Sequence, residues 1–306
     1  MTPTAMNPPR VYENVTELVG RTPMVRIHSH GVPGVELWAK LENFNPGRSV
    51  KDRPALRMIQ EGIKSGKLTK DKTILDATSG NTGIAYGWIG AALGYKVSLA
   101  VPANVSDERK RILKSFNVEV HYSSEMEGSD GAIRLARELY QQDPGRYFVP
   151  DQYNNPENPQ AHRLTTAEEI MELLGDRITH FAATIGTSGT LMGTGHRIKE
   201  LKPSAKIIAL EPAQPFHGLE GLKHMASSIV PGIYDPKAYD ENIPIDTDEA
   251  YEWVKKLARQ EGILGGLSSG GAMAGCVQLA KRIQKGCIVT IFPDSGDKYL
   301  STRVWE

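Results

Sequence analysis

The sequence predicts an α/β protein of two lobes, each with a mostly parallel twisted sheet covered by helices, and a ligand site in the cleft between them. Three observations carry this. Short β-rich runs alternate with amphipathic helical runs along most of the chain, which is how βαβ units, and hence parallel sheets with helices on both faces, are encoded. The 306 residues, 40% of them hydrophobic, suffice for two separate cores, because domains usually run to roughly 100–200 residues. Runs of small polar residues stand where strands give way to helices, the positions at which open α/β sheets take their ligands.

Taken in order, residues 72–77, 96–101, 118–122, 178–185, 206–210 and 287–292 have the apolar and β-branched density of buried strands. Between them, residues 106–116, 130–142, 159–174 and 247–260 repeat apolar side chains at helical spacing. Two clusters of turn formers mark where the lobes meet: residues 43–47, and residues 151–159 with Asn154, Asn155, Pro156, Asn158 and Pro159. The stretch between them alternates enough for a small sheet of its own. A smaller mobile lobe is therefore expected over residues 50–153, a larger lobe from residues 13–49 plus 154–306, and an N-terminal arm over residues 1–12.

Composition narrows the function classes. Lys plus Arg equals Asp plus Glu at 36 each, so no net field holds a polyanion, and neither nucleic acid nor an acidic membrane is an expected partner. Any anion site must be local. Residues 1–10 are Pro-rich without the apolar core of a signal peptide, and no later run approaches the ~20 apolar residues that span a bilayer. A cytoplasmic location is the expectation. Cys276 and Cys287 lie in apolar contexts with no C-x-x-C pairing and read as buried, reduced thiols. His28 and His30 have no third ligand nearby, so no metal is expected.

Four short constellations carry chemistry. The first, Asn45-Pro46-Gly47-Arg48-Ser49-Val50-Lys51-Asp52-Arg53-Pro54, reads as a turn entering a helix, with Ser49 as N-cap and Pro54 in the first turn. Lys51 then stands at the cationic end of a helix, a placement unfavourable by roughly 0.3–1 kcal/mol that depresses its amine pKa. Only a neutral amine attacks an aldehyde, and free lysine titrates near pKa ~10.4. Read alone, Lys51 is more often a solvated charge beside Arg48, Asp52 and Arg53.

The second, Asp76-Ala77-Thr78-Ser79-Gly80-Asn81-Thr82-Gly83, lies between a strand and an apolar helix, where backbone N–H groups and hydroxyls make a carboxylate-sized anion site. A capped turn explains any one of these residues. The third, Gly186-Thr187-Ser188-Gly189-Thr190, again follows an apolar strand; its N–H groups and hydroxyls can wrap a phosphate monoester. Its spacing fits neither a nucleoside triphosphate loop nor a dinucleotide loop. The fourth, Gly265-Gly266-Leu267-Ser268-Ser269-Gly270-Gly271, opens a helix and offers another hydroxyl. Their combination and order, an accessible lysine followed by two anion loops and a serine turn, raises each above a simple cap.

On these runs the chain resembles the fold-type II pyridoxal-phosphate enzymes, and within them the cysteine synthases (O-acetylserine sulfhydrylases) of the B-type branch. The resemblance extends from Leu18-Val19-Gly20-Arg21-Thr22-Pro23 to Asp294-Ser295-Gly296-Asp297-Lys298-Tyr299-Leu300-Ser301-Thr302. It implies a pyridoxal 5'-phosphate cofactor, an active site between the lobes, a homodimer, and formation of L-cysteine from O-acetylserine and sulfide through an α-aminoacrylate. It also implies Lys51 as the Schiff-base lysine and catalytic base, Asn81 at the phenolic oxygen, and Gly186, Thr187, Ser188, Gly189 and Thr190 as the phosphate cup. Ser268 would face the pyridine nitrogen, while Thr78, Ser79, Gly80 and Thr82, with Gln152, would hold the substrate carboxylate. In Gly221-Leu222-Lys223-His224-Met225, relatives often carry arginine where Lys223 stands, so Lys223 is expected to bias the site toward an anionic leaving group or sulfur donor. The rival readings are a cystathionine β-synthase-like or O-phosphoserine-dependent activity, and, from another class, a noncatalytic anion-binding regulatory protein with the same fold.

Overall fold

The structure, a computed structural model, describes residues 11–78 and 80–306; most of the expected N-terminal arm, and Ser79, lie outside the described residues. Its strands form two sheets. The smaller takes β3 (Thr73–Ala77), β4 (Lys96–Pro102), β5 (Glu119–Ser123) and β6 (Tyr147–Phe148) in the order β5-β4-β3-β6, all parallel. The larger takes β1 (Met24–Ile27), β2 (Val35–Leu41), β7 (His180–Thr184), β8 (Lys206–Pro212), β9 (Glu241–Ile245) and β10 (Gly286–Phe292) in the order β1-β2-β10-β7-β8-β9. Only β1 runs antiparallel to its neighbour.

The strands expected from sequence are β3, β4, β5, β7, β8 and β10, each to within a residue or two. Except for the edge strand β5, they are largely buried and their apolar runs are nearly continuous. The reading passed over β1, β2, β6 and β9. In β2 the pattern is broken by Lys40, which is fully buried in the structure. β9 is an edge strand carrying Pro244, which only an edge tolerates, and β6 has two residues.

Helices cover the sheets: α1 (Asp52–Lys64), α2 (Asn81–Leu93), α3 (Asp107–Ser115), α4 (Gly128–Gln142), α5 (Glu157–Ala161), α6 (Ala167–Leu174), α7 (Gly189–Leu201), α8 (Thr247–Lys256) and α9 (Leu267–Ile283). The single helix expected over residues 159–174 is α5 and α6 joined by a π-turn, His162–Thr166, and a second π-turn, Leu257–Glu261, follows α8. Such turns are rare and gather at functional sites. Cys276 and Cys287 are free and buried, as expected. No helix among the described residues is long and apolar enough to cross a membrane.

The start of α1 is pinned by charge. Arg53 donates from Nε to Glu42 Oε2 at 2.7 Å and from Nη1 to Glu169 Oε1 at 2.7 Å. Lys40 Nζ pairs with Glu169 Oε2 at 2.7 Å, and the Thr22 hydroxyl donates to Glu42 Oε1 at 2.7 Å. α1 is thereby tied to β2 and α6 by groups that are buried, save for the partly exposed Glu169. The Arg53 guanidinium holds the Glu42 carboxyl down at about 2 against the opposing effect of its burial.

A carboxyl depressed in the folded state contributes stability above its unfolded pKa, near 4.5, and that contribution is lost as pH falls through about 2. Breaking a buried pair by removing one partner is destabilising by roughly 3–5 kcal/mol. Glu42→Gln is therefore expected to lower the unfolding free energy at pH 7 by roughly that amount and to flatten the acid limb below pH 4.5. Urea unfolding across pH checks both; an acid limb as steep as the wild type's would reject the assignment.

Candidate active site

A cavity of about 550 Å³ lies where the carboxyl ends of β3, β4, β7 and β10 meet the start of α9. Its wall includes Lys51, Thr78, Gly80, Asn81, Thr82, Gln152, Gly186, Thr187, Ser188, Thr190, Lys223 and Ser268. Residues drawn from all four sequence constellations thus share one cleft. Gly189 stands just behind the wall as the first residue of α7.

Lys51 sits immediately before α1, in the cap position itself; Ser49, expected as the cap, accepts a longer bond from Lys51 N at 3.3 Å. The Lys51 amine hydrogen-bonds to no described residue. Its pKa is lowered, as the sequence suggests, but burial is the chief cause, with the Asp294 charge pulling the other way. An amine whose burial disfavours its charged form, facing a polar cavity, is disposed to act as nucleophile and base.

In the loop after β3, the Thr78 hydroxyl accepts from Gly80 N at 3.3 Å, and the loop feeds the first turn of α2, where the N–H groups of Asn81 and Thr82 have no acceptor among the described residues. Thr82 Oγ1 donates to Gln152 Oε1 at 2.8 Å, and Gln152 Nε2 donates to the Ala77 carbonyl at 2.9 Å. Gln152 therefore braces this loop from behind as well as lining the cleft.

The loop after β7 carries donors without partners. The backbone N–H groups of Gly186, Thr187 and Ser188 have no acceptor among the described residues. Ser188 holds φ at +73°, and its buried hydroxyl has no partner either. Thr187 Oγ1 accepts from Asn158 Nδ2 at 3.1 Å, and Thr190 Oγ1 lies 3.3 Å from His162 Nε2. A side chain at Gly186 would overlap the Gly221 carbonyl oxygen, and one at Gly189 would overlap Asn158 Oδ1. Ser268, in the first turn of α9, adds a hydroxyl that no described residue engages.

Several residues that the sequence reading did not single out complete the cleft. Asp294 Oδ2 accepts from Asn81 Nδ2 at 2.7 Å and from the Tyr299 hydroxyl at 2.8 Å. Lys298 Nζ donates to Asn81 Oδ1 at 2.7 Å and to the carbonyls of Gly47 and Arg48. The Asn81 amide is thus fixed with its nitrogen toward Asp294, leaving a second N–H on that nitrogen. Burial lowers the Lys298 pKa and pushes neighbouring Asp52 up to about 7.

From α3, Arg109 reaches Glu220 Oε2 at 2.6 Å and lies over the Tyr299 ring at 5.4 Å, so it ties the small-sheet side to the loop before Lys223. Lys223 is 8% exposed, sits 5.2 Å from the Tyr153 ring centroid, and has its pKa lowered by burial. Asp294 was findable, since it follows β10 as Gly186 follows β7. Arg109 was not, because on α3 it reads as one more helix-surface charge.

The Gly189 contact has a direct consequence. Gly189→Ala would force Asn158 off its bonds to the Gln152 carbonyl, 2.7 Å, and to Thr187. Overpacking of this kind is destabilising by roughly 1–3 kcal/mol. Thermal unfolding is expected to show that loss, and a variant as stable as wild type would mean the loop relaxes freely.

Known proteins resemble this chain over almost its whole length. Residues 15–294 match the family described as pyridoxal-phosphate dependent enzymes. A cysteine synthase of Aquifex aeolicus (strain VF5) is 51% identical over 302 residues, which cover 96% of this chain and 92% of that protein. A cysteine synthase of Staphylococcus aureus (strain Mu50) is 39% identical over 306 residues, covering 96% and 97%. The crystal structure of a cysteine synthase (OASS) from Entamoeba histolytica superposes with a TM-score of 0.93 at 36% identity, covering 99% of this chain and 93% of that one. Both the sequence match over residues 15–294 and the shared architecture point the same way: the chain belongs to the pyridoxal-phosphate dependent enzymes, within the cysteine synthase family.

Proposed function

We propose that the protein forms L-cysteine by β-replacement, exchanging the acetate of O-acetylserine, or the substituent of a related β-substituted alanine, for sulfide or another sulfur donor. The observation that carries this reading is the pairing, in one cleft, of an unengaged lysine amine with a loop whose amides and Ser188 hydroxyl lack partners. Those groups fit pyridoxal 5'-phosphate: Gly186, Thr187, Ser188, Gly189 and Thr190 take its phosphate, and Lys51 Nζ holds it covalently. When bound, the cofactor supplies an electron sink that labilises the α-proton and the β-substituent.

The chain's own residues then divide the work. The second N–H of Asn81 Nδ2 would serve the phenolic oxygen, and the Ser268 hydroxyl would serve the pyridine nitrogen without enforcing its protonation as a carboxylate would. Thr78, Gly80 and Thr82 hold the substrate carboxylate, with Ser79, which lies outside the described residues, assigned to the same loop. Gln152 steadies that loop through Thr82 and reaches the same carboxylate. Once displaced by the substrate amine, Lys51 Nζ takes the α-proton and later returns it, a role that its burial-lowered pKa favours. Closure of residues 50–153 over the bound carboxylate excludes water.

Lys51→Ala is expected to abolish turnover of O-acetylserine with sulfide, by more than about 10³-fold. In wild type that pair should be used in preference to serine with homocysteine in steady-state assays; the reverse preference would replace the assignment. Lys223 is the cation placed to bias the cleft toward an anionic substrate. Lys223→Ala should raise KM for O-phosphoserine or thiosulfate by about tenfold while leaving O-acetylserine and sulfide unchanged. Equal effects on both pairs would remove Lys223 from substrate selection.

A further inference from the structure

His162 is the one buried imidazole beside the phosphate loop that the reading above leaves without work. It is 1% exposed and opens the π-turn His162–Thr166. Its Nδ1 lies 2.9 Å from Thr166 Oγ1 and its Nε2 lies 3.3 Å from Thr190 Oγ1. α7 presses against it closely: a Cβ on Gly193 would stand 2.8 Å from His162 Cβ. The adjacent Thr165 accepts from Arg53 at 3.0 Å, so the same π-turn joins the buried charge cluster to the loop after β7.

Hydrogen-bond arithmetic decides what the ring does. A phosphate dianion only accepts, so Thr190 must spend its single hydroxyl hydrogen on it. Toward His162 the Thr190 oxygen can then only accept, and Nε2 must carry the hydrogen. Nδ1 is left as an acceptor, and Thr166, which has a hydroxyl to donate, faces it. We propose that His162 is a positioning residue for the phosphate cup: a neutral imidazole protonated on Nε2 that turns the Thr190 hydroxyl toward the bound phosphate. Burial, together with the charges of Arg53 and Lys51, pushes the imidazole down to about 3, against opposing effects of Glu42 and Glu169, so it stays neutral at any working pH. This inference rests on the reading that residues 186–190 hold the cofactor's phosphate.

The test titrates apoenzyme with pyridoxal 5'-phosphate and follows the absorbance of the bound cofactor. His162→Leu should bind it roughly tenfold more weakly, the loss of one hydrogen bond, whereas His162→Gln, whose amide nitrogen replaces the Nε2 donor, should stay within about threefold of wild type. In a Thr190→Val background, His162→Leu should add no further loss. Equal weakening by Leu and Gln would mean that the ring only fills space and would overturn the proposal. Nitrogen-15 spectra of histidine-labelled wild-type holoenzyme test the tautomer without any substitution, and a hydrogen on Nδ1 would also overturn it. If Thr190→Val and Ser188→Ala both leave the affinity unchanged, the cup itself has been misassigned and the inference falls with it.

Discussion

The buried charges around Arg53 are the constraint on which the rest of this structure depends. α1 begins directly after Lys51, and its first turn is held by Glu42 from the end of β2 and Glu169 from α6, with Lys40 closing the set. Ion pairs out of water are directional, because each charge left unmatched there is strongly unfavourable. They fix the angle at which α1 leaves the larger sheet, and so where the Lys51 amine stands relative to the loop after β7. Apolar packing of α1 through Ala55, Met58 and Ile59 adds stability without setting that angle.

A second polar set does for Asn81 what the first does for Lys51. Asp294 and Lys298, both from the segment after β10, grip opposite ends of the Asn81 amide at the start of α2. That grip spans the two sheets, as the Arg109–Glu220 pair does on the other side of the cleft. The two sheets are therefore joined across the cleft by hydrogen bonds and charges.

Much of this was legible in the chain. Strands buried on both faces announce themselves as apolar runs, and β3, β4, β7, β8 and β10 are legible for that reason, while the edge strand β5 is legible from the alternation of Val118, Val120 and Tyr122. The small-residue runs at Thr78, Gly186 and Ser268, which the sequence singles out, open helices and line one cavity, as their position at element ends suggests. β2 and β9 were missed because Lys40 and Pro244 break their patterns; Lys40 makes sense only beside Glu169, a partner 129 residues away in sequence.

By itself the sequence determined the alternation of the central strands and helices and singled out the small-residue loops and the lysine that share one cavity, because those properties rest on local composition and on spacing along the chain. Only the tertiary structure decided which side chains tune them. That Lys51 is depressed by burial against the opposing charge of Asp294, that Asn81 is oriented by Asp294 and Lys298, and that Arg109 and His162 face the cleft and its loop are all consequences of contacts between distant segments. Burial and pairing are properties of three-dimensional neighbours, and no local pattern encodes them.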